Sequence, residues 1–181
     1  MSRVCEDNGI QIEFPDGNWT QLDGESCETT MGKFSGIFGG FKIMDCAWYD
    51  TENNVLWLIE LKRYYDAANK KYIEPDLTDP KIRGEKLEEF VQKIIGTLLL
   101  FNDRYQALME CFPENAVNAE EVNIVFILHI KGGHKQFLNA LNGQLSRRYK
   151  KFRAVFGQDG SILILDTESA GKKLPFTVKV L

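Results

Sequence analysis

Asp45, Glu60 and Lys62 are the residues of this chain whose types and spacing suit chemistry. They lie in Asp45-Cys46-Ala47-Trp48-Tyr49 and Leu58-Ile59-Glu60-Leu61-Lys62, two segments that read as strands joined by the turn Asp50-Thr51-Glu52-Asn53-Asn54. An antiparallel hairpin over 41–49 and 55–63, centred between Glu52 and Asn53, opposes residues whose numbers sum to 105, and Asp45 with Glu60 is such a pair. Their Cβ atoms would stand about 4.5–5.5 Å apart on one face. Lys62, two positions beyond Glu60, projects from that face as well. Two opposed carboxylates at the end of an apolar strand resist joint ionisation, and one tends to keep its proton. A divalent cation removes the conflict, since Mg²⁺ is held by one or two carboxylates with water and phosphate oxygens. A neighbouring ammonium can then position a water and stabilise charge developing on a phosphoryl group. The set suits metal-assisted hydrolysis of a phosphodiester. The same residues also describe an ordinary cross-strand ion-pair cluster on a solvated face.

Asp45, a gap of 14 residues, then Glu60-Leu61-Lys62 resembles the motif of the PD-(D/E)XK nuclease superfamily, over roughly residues 25–130. The resemblance implies a restriction-endonuclease-like α/β fold, a mixed sheet flanked by helices, whose core runs helix, three-strand meander, helix, strand. It implies a Mg²⁺- or Mn²⁺-dependent nuclease acting on DNA. Asp45, Glu60 and the Leu61 carbonyl would hold the metal, and Lys62 would be the catalytic lysine. The family often adds a Glu from the preceding helix, for which Glu28 is the candidate and Glu25 its competitor. Met44 stands where the family motif nominally has Pro, a departure that weakens the signature. Gln144 and Tyr149 are similar to a Gln…Tyr pair of some family exonucleases, at a looser spacing.

These residues need a scaffold. The sequence predicts one domain over 1–181: an N-terminal strand-turn-strand extension at 1–24, a core at 25–166 and a C-terminal edge strand at 167–181. Gln11–Phe14 and Trp19–Leu22 flank the turn Pro15-Asp16-Gly17-Asn18. A short, poor helix is expected over 25–34, then a glycine-punctuated loop, then the two strands at 41–49 and 55–63. Val55-Leu56-Trp57-Leu58-Ile59 is apolar at every position, as in a strand covered on both faces. The polar stretch 64–83, with Pro75 and Pro80, reads as a long loop. Helical periodicity places a helix from Glu85 to about Phe112, ended by Pro113. Val122–Ile130 reads as a buried strand, Lys135–Phe152 as a basic amphipathic helix, and Ile162–Asp166 and Phe176–Leu181 as further strands. Strands before and between helices imply a two- or three-layer α/β arrangement with a sheet of mixed direction.

The net charge of −4 counts against a wholly basic nucleic-acid coat, but it is an average. Residues 1–30 carry seven acids against Arg3, whereas 131–153 carry seven bases and no acid. Arg63, Lys70 and Lys71, interleaved with tyrosines, and Lys131, Lys135, Arg147, Arg148, Lys150 and Lys151 are the candidate contacts to nucleic-acid phosphates. The basic helix is equally explained as a solvated face. Three alternatives follow: a nuclease, a non-catalytic nucleic-acid- or protein-binding module on the same fold, and an α/β interaction protein whose acidic N-terminal third docks on a basic partner or a second copy. The four cysteines form no C-x-x-C, and the two histidines no metal motif. Gly132-Gly133 lacks a P-loop pattern, and no G-x-S-x-G elbow is present. The longest apolar run, about Ile94–Phe101, is far short of a membrane span, and the N-terminus lacks a signal-peptide core, so a cytoplasmic protein is expected.

Overall fold

The computed structural model describes residues 3–16, 18–22, 42–66, 71–72, 74–100, 116, 118–130, 134–156 and 159–181, with backbone alone at 65–66, 71–72, 100 and 151–156. Its strands are β1 (Val4–Asp7), β2 (Ile10–Glu13), β3 (Trp19–Gln21), β4 (Cys46–Asp50), β5 (Val55–Arg63), β6 (Tyr65–Asp66), β7 (Lys71–Tyr72), β8 (Glu121–His129), β9 (Ile162–Asp166) and β10 (Thr177–Val180). Its helices are α1 (Pro80–Leu100), α2 (Lys135–Phe156) and α3 (Thr167–Lys173). The main sheet has the order β3-β4-β5-β8-β9, antiparallel from β3 to β5 and parallel from β5 to β9. The chain is thus α/β with a mixed sheet.

Both faces of this sheet are buried, which explains the unbroken apolar run in β5. Leu56 and Leu58 share one face with Ile124, Phe126 and Ile164, under Phe90, Val91 and Ile94 of α1 and Leu141 and Leu145 of α2. Ile59 and Leu61 lie on the other face with Trp48, Val125 and Leu165. That face is covered by a three-stranded sheet of order β1-β2-β10, together with Ala170 of α3. Phe14 sits at its centre, with its ring centroid 5.6 Å from Trp19, 5.9 Å from Trp48 and 5.5 Å from Phe176. The described residues form three layers: two long helices, the mixed sheet, and the small sheet with α3.

Several expectations are corrected here. The N-terminal strands do not pair across the Pro15–Asn18 turn: β2 pairs with β1 and β10, and β3 joins the main sheet beside β4. The turn itself forms, with Asp16 accepting from the Asn18 amide at 2.9 Å, but it carries the chain from one sheet to the other. The hairpin turn is Asn8-Gly9 instead, with φ values of 52° and 68°. That is the left-handed pair that a two-residue turn between twisted strands requires. The strand expected over 41–49 begins only at Cys46.

The helix expected from Glu85 starts at Pro80, where a missing amide costs nothing, and the Asp79 side chain accepts from the Lys81 amide at 2.8 Å. The stretch 64–83 is accordingly shorter as a loop and contains the small β6–β7 ladder. Residues 167–181 are not simply an edge strand. Asp166 caps α3 by accepting from the Glu168 and Ser169 amides at 3.1 Å each, and β10 follows on the edge of the small sheet. The helix expected over 25–34 and residues 101–112 lie outside the described residues. Among the described residues, no helix is long and apolar enough to cross a membrane.

Candidate functional site

Asp45 ends the β4–β5 ladder, and its side chain completes it. The pairing Cys46↔Ile59 through Asp50↔Val55 keeps the sum of 105 expected from the turn centre. The Asp45 amide donates to the Ile59 carbonyl at 3.0 Å, and its Oδ2 accepts from the Leu61 amide at 2.6 Å. The segment before it is bolted to α1, because the Met44 amide donates to Thr97 Oγ1 at 2.8 Å, and Thr97 is fully buried. Glu60 follows on the helix-covered face, next to Phe126 in the parallel register, and has no exposed surface.

Lys62 projects from the same face and reaches back, its Nζ 3.1 Å from Glu60 Oε1 and 3.9 Å from Glu89 Oε1. The structure therefore gathers the three residues picked out by spacing. Glu60 and Asp45 form the floor, and Lys62 and Glu89, each about a quarter exposed, line the side open to solvent.

The sequence did not single out Lys93, which α1 inserts between the carboxylates. Its Nζ donates to Glu60 Oε1 and lies 3.6 Å from Asp45 Oδ1. A signal existed: Lys93 and Thr97 are polar, four residues apart, on a stripe otherwise marked by Phe90, Ile94 and Leu98. Glu89, also missed, sits one turn before Lys93 and pairs with Lys86 at 2.9 Å. Asn8 is a third omission. Its amide nitrogen donates to the Leu61 carbonyl at 3.2 Å, which brings the β1–β2 turn against the end of β5.

The electrostatics follow from burial. Asp45 has its pKa raised to about 8, by loss of solvent first and by the Glu60 carboxylate second, against the opposing pull of Lys93. Burial works against the Lys62 ammonium, but Glu60, Asp45 and Glu89 outweigh it and raise its pKa, so Lys62 is a cation at neutral pH. Glu89 is held below its usual pKa: burial opposes this, and Lys86 and Lys62 overcome it. Burial and the nearby Glu89 and Glu60 push the Tyr64 hydroxyl upward, so it stays protonated. Glu60 Oε2 is buried and finds no hydrogen-bond partner among the described residues. A buried carboxylate oxygen left this way is costly unless a cation or donor reaches it.

A pH dependence of stability follows from Asp45. The folded state binds its proton up to about pH 8, whereas a solvated Asp releases it near 3.8. Between those values the unfolded state binds fewer protons, so stability falls as pH rises. Melting temperatures recorded in EDTA from pH 5 to 8 are expected to decline more steeply for the wild type than for Asp45→Asn. Parallel profiles would remove Asp45 as the source.

Among the described residues, no three His, Cys, Asp or Glu side chains form a metal-binding group. Asp45 and Glu60 are a pair, and the expected third carboxylate, Glu28, lies outside the described residues, as does its competitor Glu25. The proposed nucleic-acid contacts scatter. Arg63 donates to the carbonyls of Leu181 at 2.8 Å and Gly9 at 3.3 Å, which makes it a tie between β5 and the small sheet. Lys135 is paired with Asp166 at 3.1 Å and Glu168 at 3.0 Å, and Arg148 with Glu88 of α1 at 2.8 Å. Arg147 and Lys150 are exposed on α2. Lys70 and Lys131 and the side chains of Lys71 and Lys151 lie outside the described residues. Gln144 is exposed and Tyr149 is buried in the helix-side core. Comparison with protein-family models, with curated proteins and with solved structures finds no match.

Proposed function

We propose that the chain is a Mg²⁺-dependent nuclease that hydrolyses phosphodiester bonds in DNA, built on a restriction-endonuclease-like arrangement of its mixed sheet. The observation that carries this is the convergence of Asp45, Glu60 and Lys62 on one face at the end of β5. The order of the described core strands and helix, meander β3-β4-β5, helix α1, parallel strand β8, agrees with the motif's usual setting.

The donor set suits a divalent ion on its own terms. Among the described residues Glu60 Oε2 is a buried carboxylate oxygen without a partner, and burial together with the neighbouring Glu60 charge keeps the proton on Asp45, a conflict that a divalent ion would relieve. Asp45, Glu60 and the Leu61 carbonyl would hold the ion, which when bound supplies Lewis-acid stabilisation of phosphoryl charge. Lys62, a cation at the open side, orients the attacking water and offers an N–H to the phosphoryl oxygen on which charge develops. Because it stays protonated, Lys62 acts as a donor and not as the base. Glu60 and Glu89 hold its ammonium in place.

The test is cleavage of a labelled DNA duplex and single strand with Mg²⁺ or with EDTA. Wild type is expected to cleave only with Mg²⁺, and Asp45→Ala and Glu60→Ala are expected to lose cleavage while retaining a wild-type circular dichroism spectrum. Undiminished cleavage by both variants would overturn the proposal.

One observation favours a second reading, a non-catalytic nucleic-acid-binding module: the Lys93 ammonium already sits between the two carboxylates. On that reading DNA binds to the exposed bases of α2, with a steep salt dependence, and added Mn²⁺ does not change the melting temperature.

A further inference from the structure

We propose that Lys93 is a built-in cation that holds the Asp45–Glu60 site closed in the metal-free protein and must withdraw before a divalent ion can enter. This rests on the metal site proposed above and adds its regulation. The Lys93 ammonium lies in the space that both carboxylates face, bonded to Glu60 Oε1 and 3.6 Å from Asp45 Oδ1, on a side chain only 12% exposed. Lys62, by contrast, approaches Glu60 from the solvent side.

Lys93 contacts both carboxyl groups and does so unevenly. Among the described residues Glu60 Oε2 remains without a partner, and the contact to Asp45 is long for a hydrogen bond. A divalent ion would serve both groups better, but it cannot share them with the ammonium. An ammonium and a divalent cation about 4 Å apart repel by about 2 kcal/mol even in water, and by more where solvent is excluded.

The helix offers Lys93 a second position. Its backbone is fixed by Thr97 Oγ1, which donates to the Lys93 carbonyl at 2.8 Å, so only the four-carbon stem needs to move. Glu89, one helical turn earlier, stands in the favourable Glu-before-Lys orientation and faces the open side of the site.

The experiment measures Mn²⁺ binding by calorimetry to wild type and Lys93→Met, each checked for folding by circular dichroism. Lys93→Met is expected to bind at least about thirtyfold more tightly, the minimum that the removed repulsion implies. Binding by the variant with none by wild type also supports the inference, and shows that the native chain keeps metal out. Equal affinities overturn the inference and leave the metal site standing, whereas absence of binding to both overturns the two together.

If Lys93→Met fails to fold, amine acetylation of the wild type read by mass spectrometry decides. Lys93 is expected to react faster in Mn²⁺ than in EDTA, with exposed Lys172 as the reference. An unchanged Lys93 rate overturns the inference.

Discussion

Lys62→Met is expected to lower Mg²⁺-dependent cleavage by about 10²–10³ in kcat, the usual cost of removing a donor aimed at developing charge. The loss should fall on kcat and spare KM, because Lys62 touches Glu60 and Glu89 and is not among the bases exposed on α2. Mn²⁺ affinity should not fall, since the substitution removes a positive charge 3.1 Å from a proposed metal ligand and adds no competitor. That combination, slower chemistry with metal binding intact, separates Lys62 from Asp45 and Glu60. A Lys62→Met enzyme that cleaves at the wild-type rate would strip Lys62 of its role, whatever the fate of the carboxylates.

The second large effect is structural and reaches the site through packing. Phe126 is fully buried next to Glu60 in the β5–β8 register, and its ring lies 4.3 Å from that of Phe90 on α1. Phe90 is one helical turn from Lys93, so this aromatic pair sets the height of α1 above the carboxylates. Phe126→Ala is expected to cost about 3–5 kcal/mol through lost burial and an unfilled cavity. For a chain of this size that lowers the melting temperature by about 6–20 °C. Phe126→Leu, which keeps most of the volume, should restore the larger part of both stability and site geometry. Thermal denaturation of the three proteins checks the series, and a Phe126→Ala protein that melts within a degree of wild type would show that α1 is held elsewhere.

The core of the site was legible because it depends on two short-range rules. Strand side chains alternate, and a turn centre fixes which residues oppose each other, so the sum of 105 carried directly into Cys46↔Ile59 and its neighbours. Lys93 depends on how α1 lies across the sheet, which no local spacing states. Its only trace is a charge on an apolar stripe.

The same division explains the N-terminal error. Pro15–Asn18 has turn chemistry and does turn, but whether the flanking strands pair is decided by Trp48 and Phe176, far along the chain. The Asn8-Gly9 turn, in contrast, was readable from the dipeptide and the alternation of Cys5, Ile10 and Ile12 around it.

The small sheet has a consequence for how the molecule comes to be assembled. β2 pairs with β10 from Ile10↔Val180 to Glu13↔Thr177, so the second layer joins residues from opposite ends of the sequence. Pairings of such separation cost loop-closure entropy before they return anything, and they form late. During synthesis, all the described strands of the mixed sheet exist once Asp166 has been made, yet the face bearing Trp48, Ile59, Leu61, Val125 and Ile127 still lacks part of its cover. Until residues 177–180 arrive, that face is only partly covered and the β10-side edge of β2 is unpaired, the kind of edge on which nascent chains associate wrongly.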